Sequence, residues 1–78
     1  MTNQEKYNKA FMEALEVDES QLMELEYQSI DAWDSVGHMN LIGELEDTFE
    51  IEMETDDVIA FSSYKKGIEI LAKYNIII

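Results

Sequence analysis

Residues 33–49 read WDSVGHMNLIGELEDTF, and this stretch decides the fold of the 78-residue chain. It begins with Asp34 and Ser35 after the tryptophan, and both residue types favour the N-cap of a helix. No breaker stronger than glycine follows before Phe49. The pattern therefore predicts a helix that begins at this pair. Its buried side is expected to carry His38, Leu41, Ile42, Leu45 and Phe49.

The outer side of this helix combines two apolar residues with polar ones. Val36 and Met39 fall toward the polar side, in the first turn after Ser35. Flexible methionine beside an acidic rim suits a surface that docks on several partners. The remaining residues expected there are Asn40, Gly43, Glu44 and Asp47, with Glu46 at the edge.

The rest of the chain predicts two further helices, one short helix and one long connection. Apolar residues at helical spacing predict a first helix over Asn3–Leu15. A brief helical turn capped by Thr55 and a last helix from Ser62 or Ser63 to about Tyr74 follow the central helix. We expect the connection, residues 17–34, to be pinned to the core by Leu22, Leu25, Tyr27 and Ile30.

These elements predict an all-α fold in a single domain over residues 1–78. The expected architecture is a small four-helix bundle of three main helices and one short helix, with a long first loop. The absence of proline and the presence of only three glycines fit helices better than a turn-rich β protein.

Charge limits the classes of partner. The chain has 18 acidic residues against five lysines, which gives a formal net charge of −13. Sixteen of the 18 lie between Lys9 and Lys65, where no basic residue occurs. This field excludes nucleic acid and anionic membranes as natural partners and favours a basic protein.

Composition also limits the chemistry. No cysteine and a single histidine leave no thiolate or second imidazole for a metal site, so we expect no metal. Residues 1–9 are polar, and no run approaches the roughly 20 apolar residues of a membrane span. We expect a soluble, cytoplasmic monomer. We expect no enzyme, because only His38 could activate Ser35 and nothing resembles a catalytic triad.

Ser35 can be interpreted in two ways. It can cap the helix, and spacing alone favours this interpretation because serine is a common cap. Alternatively, its hydroxyl is exposed at the helix start, where a phosphodiester would meet free N–H groups and the positive end of the helix dipole.

The stretch WDSVGHMNLIGELEDTF resembles the signature region of the acyl carrier protein family, in its stand-alone form. The order of helix, long loop, D-S pair at a helix start, short helix and closing helix from Ser62 matches that fold over nearly the whole chain. The resemblance implies that Ser35 carries a 4′-phosphopantetheine arm, attached by a phosphopantetheinyl transferase. Acyl groups would be held as a thioester on the arm, and the protein itself would catalyse nothing.

The resemblance also implies roles for other positions. An acyl-loading ligase or transferase and downstream acyl-processing enzymes would dock through basic patches. The positions that would meet these partners are Asp34, Val36, Met39, Asn40, Glu44, Glu46 and Asp47. The positions that would line an acyl pocket are Leu41, Ile42, Leu45, Val58, Ile59 and Phe61.

Departures from the family pattern point to a carrier for a specialised pathway, or to a secondary carrier, rather than to the main fatty-acid carrier. Bulky Trp33 stands at the end of the loop and is expected to anchor it, His38 could narrow the entry to the acyl space, and Gly43 replaces a larger apolar contact. The alternative is an acidic helical protein-interaction module without a prosthetic group, in which Ser35 is only a cap.

Overall fold

The structure, a computed structural model, describes residues 1–78 and is all-helical. Helix covers 63% of the chain and no strand is present, so the predicted all-α class is confirmed. The helices are α1 (Asn3–Leu15), a 3₁₀ helix (Glu19–Glu24), α2 (Ser35–Phe49), α3 (Thr55–Ala60) and α4 (Tyr64–Ala72).

Helix α1 has the predicted bounds because both its start and its buried stripe are encoded locally. Thr2 caps it by accepting from the Glu5 N–H at 3.1 Å, and the Glu5 carboxylate accepts in return from the Thr2 N–H at 2.9 Å. The helix packs mainly against α2. Its buried residues are Tyr7, Ala10, Phe11 and Leu15.

The first connection is not structureless, contrary to the sequence-based expectation. The 3₁₀ helix within it contacts both α1 and α4. The predicted anchors Leu22 and Leu25 are buried, and Ile30 packs partly against the core. Tyr27, however, is 38% exposed, so its prediction as a core anchor was wrong. A 3₁₀ helix of this length lacks the 3.6-residue period that would have revealed it.

Aromatic rings fill the centre of the bundle. The Phe11 ring lies 5.0 Å from Tyr7, 5.6 Å from Trp33 and 5.3 Å from Tyr64, centroid to centroid. The Tyr7 hydroxyl donates to the Tyr64 carbonyl oxygen at 2.7 Å, and burial raises the pKa of the Tyr7 phenol. Trp33 is fully buried, which confirms it as the anchor of the loop end.

Helix α3 is tied to the end of α4 by a small polar network. The Asp57 carboxylate is largely buried and accepts from Lys73 Nζ at 2.6 Å and from the Tyr74 hydroxyl. These two bonds, the Lys73 bond first, hold the pKa of Asp57 below its usual value. The network therefore joins α3 to the residues that follow α4.

The caps of the last two helices differ in part from the prediction. Glu54, not Thr55, is the N-cap of α3, because its backbone is extended and Thr55 is already helical. Ser63 caps α4 by accepting from the Lys66 N–H at 2.9 Å. Helix α4 ends at Ala72, two residues short of Tyr74. None of the helices combines the length and the apolar composition that a membrane crossing requires.

Candidate functional site

Asp34, and not Ser35, caps α2. The Asp34 backbone is extended, its Oδ1 accepts from the Gly37 N–H at 2.8 Å, and its carbonyl oxygen accepts from the His38 N–H at 2.8 Å. Ser35 is therefore the first helical residue, and the interpretation of Ser35 as the cap was wrong. Asp34 had been predicted to bind partners, and its carboxylate also has this structural role.

The Ser35 hydroxyl is left exposed by this arrangement. It takes part in none of the bonds of the cap, and the N–H groups of Ser35 and Val36 have no backbone acceptor. Free N–H groups and the positive end of the helix dipole favour an anion at this position. A phosphate joined to the Ser35 oxygen would fit here, because it would meet donors and would displace no side chain of the cap.

Gly37 sets the approach of the preceding loop to α2. A Cβ atom at this position would collide with the carbonyl oxygen of Ala32 and would lie 3.4 Å from Leu15 Cδ2. Backbone and helix can meet this closely only at glycine. The sequence contained one signal for this contact, because a glycine inside a helical pattern is unfavourable unless packing requires it.

His38 bridges the loop end and α3. Trp33 Nε1 donates to His38 Nδ1 at 2.9 Å, and His38 Nε2 lies 2.8 Å from the Val58 carbonyl oxygen. An indole nitrogen only donates and a carbonyl only accepts, so the ring is the neutral tautomer with its proton on Nε2. The indole and imidazole planes are stacked, with an angle of 16° between them.

A pocket of about 250 Å³ opens beside this bridge. His38 lines the pocket and lies three residues after Ser35, so the two side chains are neighbours on the surface of α2. Phe61 forms a buried wall, whereas Ile59 is 75% exposed. The lining residues are Tyr27, His38, Ile59, Phe61 and Ser62.

The predicted pocket residues divide into two groups. Ile59 and Phe61 do line the pocket. Leu41, Ile42 and Leu45 lie instead in the packed core and line no part of this space, and Val58 is half-buried against the core. Sequence reasoning missed Tyr27 and Ser62 as lining residues, because both come from segments that only the tertiary fold brings to α2.

The two sides of α2 differ in what they offer. The closed face, defined by Gly37, His38, Leu41 and Leu45, packs against the bundle. The open face is defined by Ser35, Val36, Met39 and Gly43. Val36 is 69% and Met39 59% exposed, which confirms their predicted place outside the core.

Acidic residues adjoin the open face. Met39, Asn40, Glu44 and Asp47 line one shallow groove together with the end of α1, so the structure brings four of the predicted partner-binding residues together. Glu46 is half-buried, and one of its carboxylate oxygens accepts from the Met53 N–H at 2.9 Å. No group of three or more His, Cys, Asp and Glu side chains is arranged to hold a metal ion.

Comparison with known proteins identifies no relative of this chain: no protein-family model, no curated protein and no solved structure matches it. The arrangement itself consists of an exposed serine hydroxyl at a helix start, free backbone donors beside it, a small pocket lined by His38 three residues further along the helix, and an acidic, partly apolar open face.

Proposed function

We propose that the chain is an acyl carrier protein with a 4′-phosphopantetheine arm on Ser35. The observation that carries the proposal is that two adjacent residues at the start of α2 have different roles. Asp34 supplies the cap, and the serine hydroxyl beside it is exposed and uncommitted. Modification of a serine that capped the helix would remove the cap. Ser35 can be modified without loss of the cap, because Asp34 supplies it.

Attachment needs only what the Ser35 side chain offers. The Ser35 O–H bond breaks and its oxygen forms a bond to phosphorus, while the pyrophosphate bond of coenzyme A breaks and the adenosine bisphosphate leaves. The transferase takes the serine proton. Once bound, the arm supplies a terminal thiol that holds an acyl group as a thioester. The N–H groups of Ser35 and Val36 would stabilise the phosphodiester charge.

The open face of α2 suits brief recognition by several enzymes. Val36 and Met39 offer apolar contacts beside the attachment point, and Asp47 and Glu44 lie within the adjoining acidic groove. Charge steering of a basic partner raises the association rate, and exposed ion pairs add little affinity. Partner binding should therefore be fast, weak and salt-sensitive. The loading ligase or transferase and the acyl-processing enzymes would share this face.

A specialised pathway fits the site better than bulk fatty-acid synthesis. Leu41, Ile42 and Leu45 are buried in the core and do not line the pocket. The accessible pocket is bounded by aromatic rings. This carrier would therefore hold intermediates that need little internal space.

The experiment is intact mass measurement after incubation with coenzyme A and a broad-specificity phosphopantetheinyl transferase. We expect the wild-type chain to gain one phosphopantetheine and Ser35→Ala to gain none. Ser62→Ala is the matched control, because it removes another exposed serine near the pocket, and it should gain the arm like the wild type. A gain on Ser35→Ala would overturn the assignment of the arm to Ser35.

A non-carrier interaction module is the second candidate, and the exposure of Val36 and Met39 is the observation that favours it. Such a module would bind its basic partner through these residues and the carboxylates, and it would keep its function in Ser35→Ala. A carrier would lose its function entirely. A wild-type chain that accepts no arm from two transferases, each active on a control substrate, would leave the interaction module as the better account.

A further inference from the structure

We propose that His38 sets the depth of the acyl pocket and restricts this carrier to short acyl groups. The inference rests on the proposed carrier function and names the class of cargo. A short chain, of up to about six carbons, is the occupant that the pocket beside Ser35 fits.

The boundary between pocket and core runs through the imidazole ring. His38 lines the pocket, while Leu41, the next residue of α2 on the same face, is fully buried and does not. The Nε2 atom of the ring is hydrogen-bonded to the carbonyl oxygen of Val58, a residue that does not line the pocket either. The ring and this bond together close the gap between α2 and α3.

The volume of the pocket limits the cargo. About 250 Å³ is available. A cavity of about 150 Å³ binds benzene, which has six carbon atoms, so the pocket holds roughly ten non-hydrogen atoms. The thioester atoms take part of this volume, which leaves room for about six carbons at most. A longer chain would have to enter the core or remain in water.

Entry to the core would require His38 to move, and its surroundings resist this. Trp33, which donates to Nδ1, is fully buried among aromatic rings. Tyr27 and Phe61 lie edge-on to the imidazole, with ring centroids 5.4 Å and 6.2 Å away. Displacing the ring would leave the indole N–H and the Val58 carbonyl without partners in a poorly hydrated place.

The test uses probes of increasing length attached to a cysteine at the arm position. The chain contains no cysteine, so Ser35→Cys provides a single thiol that can be alkylated without a transferase. The reagents are iodoacetamides with a pantetheine-length spacer that ends in an acetyl, butanoyl, hexanoyl, octanoyl or decanoyl group. Intact mass confirms complete labelling, and the melting temperature of each adduct is the readout.

We expect the melting temperature to rise by roughly 10 °C for each two carbons up to hexanoyl, because each buried methylene adds stability. Beyond hexanoyl it should stop rising. We call the acyl length at which the melting temperature stops rising the break. In the Ser35→Cys chain that also carries His38→Ala, the break should move to octanoyl or decanoyl. If His38→Ala melts too low to be measured, His38→Ser also removes the ring and should give the same shift of the break.

The matched control is Ser35→Cys with Asp57→Asn, which weakens the bonds from α3 to Lys73 and Tyr74 and removes no contact of the His38 ring. Its break should stay at hexanoyl. A wild-type background that continues to gain stability through decanoyl, or shows no length dependence, overturns the proposal, as does a control that shifts like His38→Ala. A wild-type Ser35 that accepts no arm overturns the carrier function instead, so the two failures are distinguishable.

Discussion

Gly37 and Gly43 lie on the same helix and face opposite environments. A Cβ at Gly37 would collide with the Ala32 backbone, whereas a Cβ at Gly43 would meet no atom within 4 Å. The first glycine belongs to the closed face, where loop, helix and core leave no space. The second belongs to the open face, where it lines a shallow groove and has free space around it.

The contrast separates the face of α2 that stabilises the fold from the face that is available to contact other molecules. The closed face holds the loop end, the histidine bridge and the core leucines. The open face exposes Val36, Met39 and the Ser35 hydroxyl. Burial of the Val36 and Met39 side chains by a partner would be favourable, because it removes apolar surface from water.

Gly37→Ala is the substitution for which we expect the largest change in stability. The added methyl group must displace loop backbone rather than a flexible side chain, so we expect a loss on the order of 3 kcal/mol in unfolding free energy. Chemical denaturation measures this loss, and the same substitution at Gly43 is the control. A Gly37→Ala chain as stable as the wild type would show that the loop does not pack as described.

The cap assignment is tested by a pair of neighbouring substitutions. Asp34→Ala should lower the unfolding free energy by about 1 kcal/mol, because the Gly37 N–H loses its acceptor. Ser35→Ala should change it by less than about 0.5 kcal/mol, as expected for an exposed residue outside any such bond. Urea denaturation of both variants decides the matter, and the reverse ranking would make Ser35 the cap.

The polar tie between α3 and α4 predicts a pH dependence. The Lys73 bond, followed by the Tyr74 bond, lowers the pKa of Asp57 in the folded state, so its contribution is complete above the unfolded pKa and is lost as the pH falls through the folded one. We expect Asp57→Asn to be less stable than the wild type at neutral pH. The difference should shrink below about pH 4, the ordinary range for an aspartate.

The quantity to compare at each pH is the difference in stability between the wild type and Asp57→Asn, because protonation of the other carboxylates affects both chains. Thermal melts at matched ionic strength supply the measurement. A stability difference that stays constant from neutral to acid pH would mean that the Asp57 carboxylate does not stabilise the fold as an anion.

The last expected effect is a gain in stability rather than a loss. Gly43→Ala should raise the unfolding free energy by up to about 1 kcal/mol, because alanine favours helix and the space around the position is open. Denaturation beside Gly37→Ala gives the value. A loss of stability at Gly43 would show that the open face is packed after all.

The sequence predicted the helices well because their signals are local. The Asn3–Leu15 bounds follow from an apolar period and its flanking residues, and the exposure of Val36 and Met39 follows from the helical wheel. The 3₁₀ helix in the first connection has no such period, so it was missed.

The site was less predictable, because its key contacts join segments that are distant in sequence. Asp34 and Ser35 are both good caps, and only the backbone geometry selects between them. The role of His38 depends on the Val58 carbonyl, which no pattern in the sequence indicates. The glycine at position 37 signals a close contact inside a helix, but the sequence does not identify the Ala32 carbonyl as the partner. The acyl pocket was therefore expected along the core side of α2, whereas the accessible space lies beside His38.

The most direct test of the central claim is the intact mass of the protein purified from the cells that make it, followed by mapping of the modified peptide. The carrier account predicts a phosphopantetheine on Ser35, with part of the population bearing an acyl group, and neither on a Ser35→Ala chain produced in the same cells. A wild-type protein that carries no arm while its cellular function is intact would contradict the account.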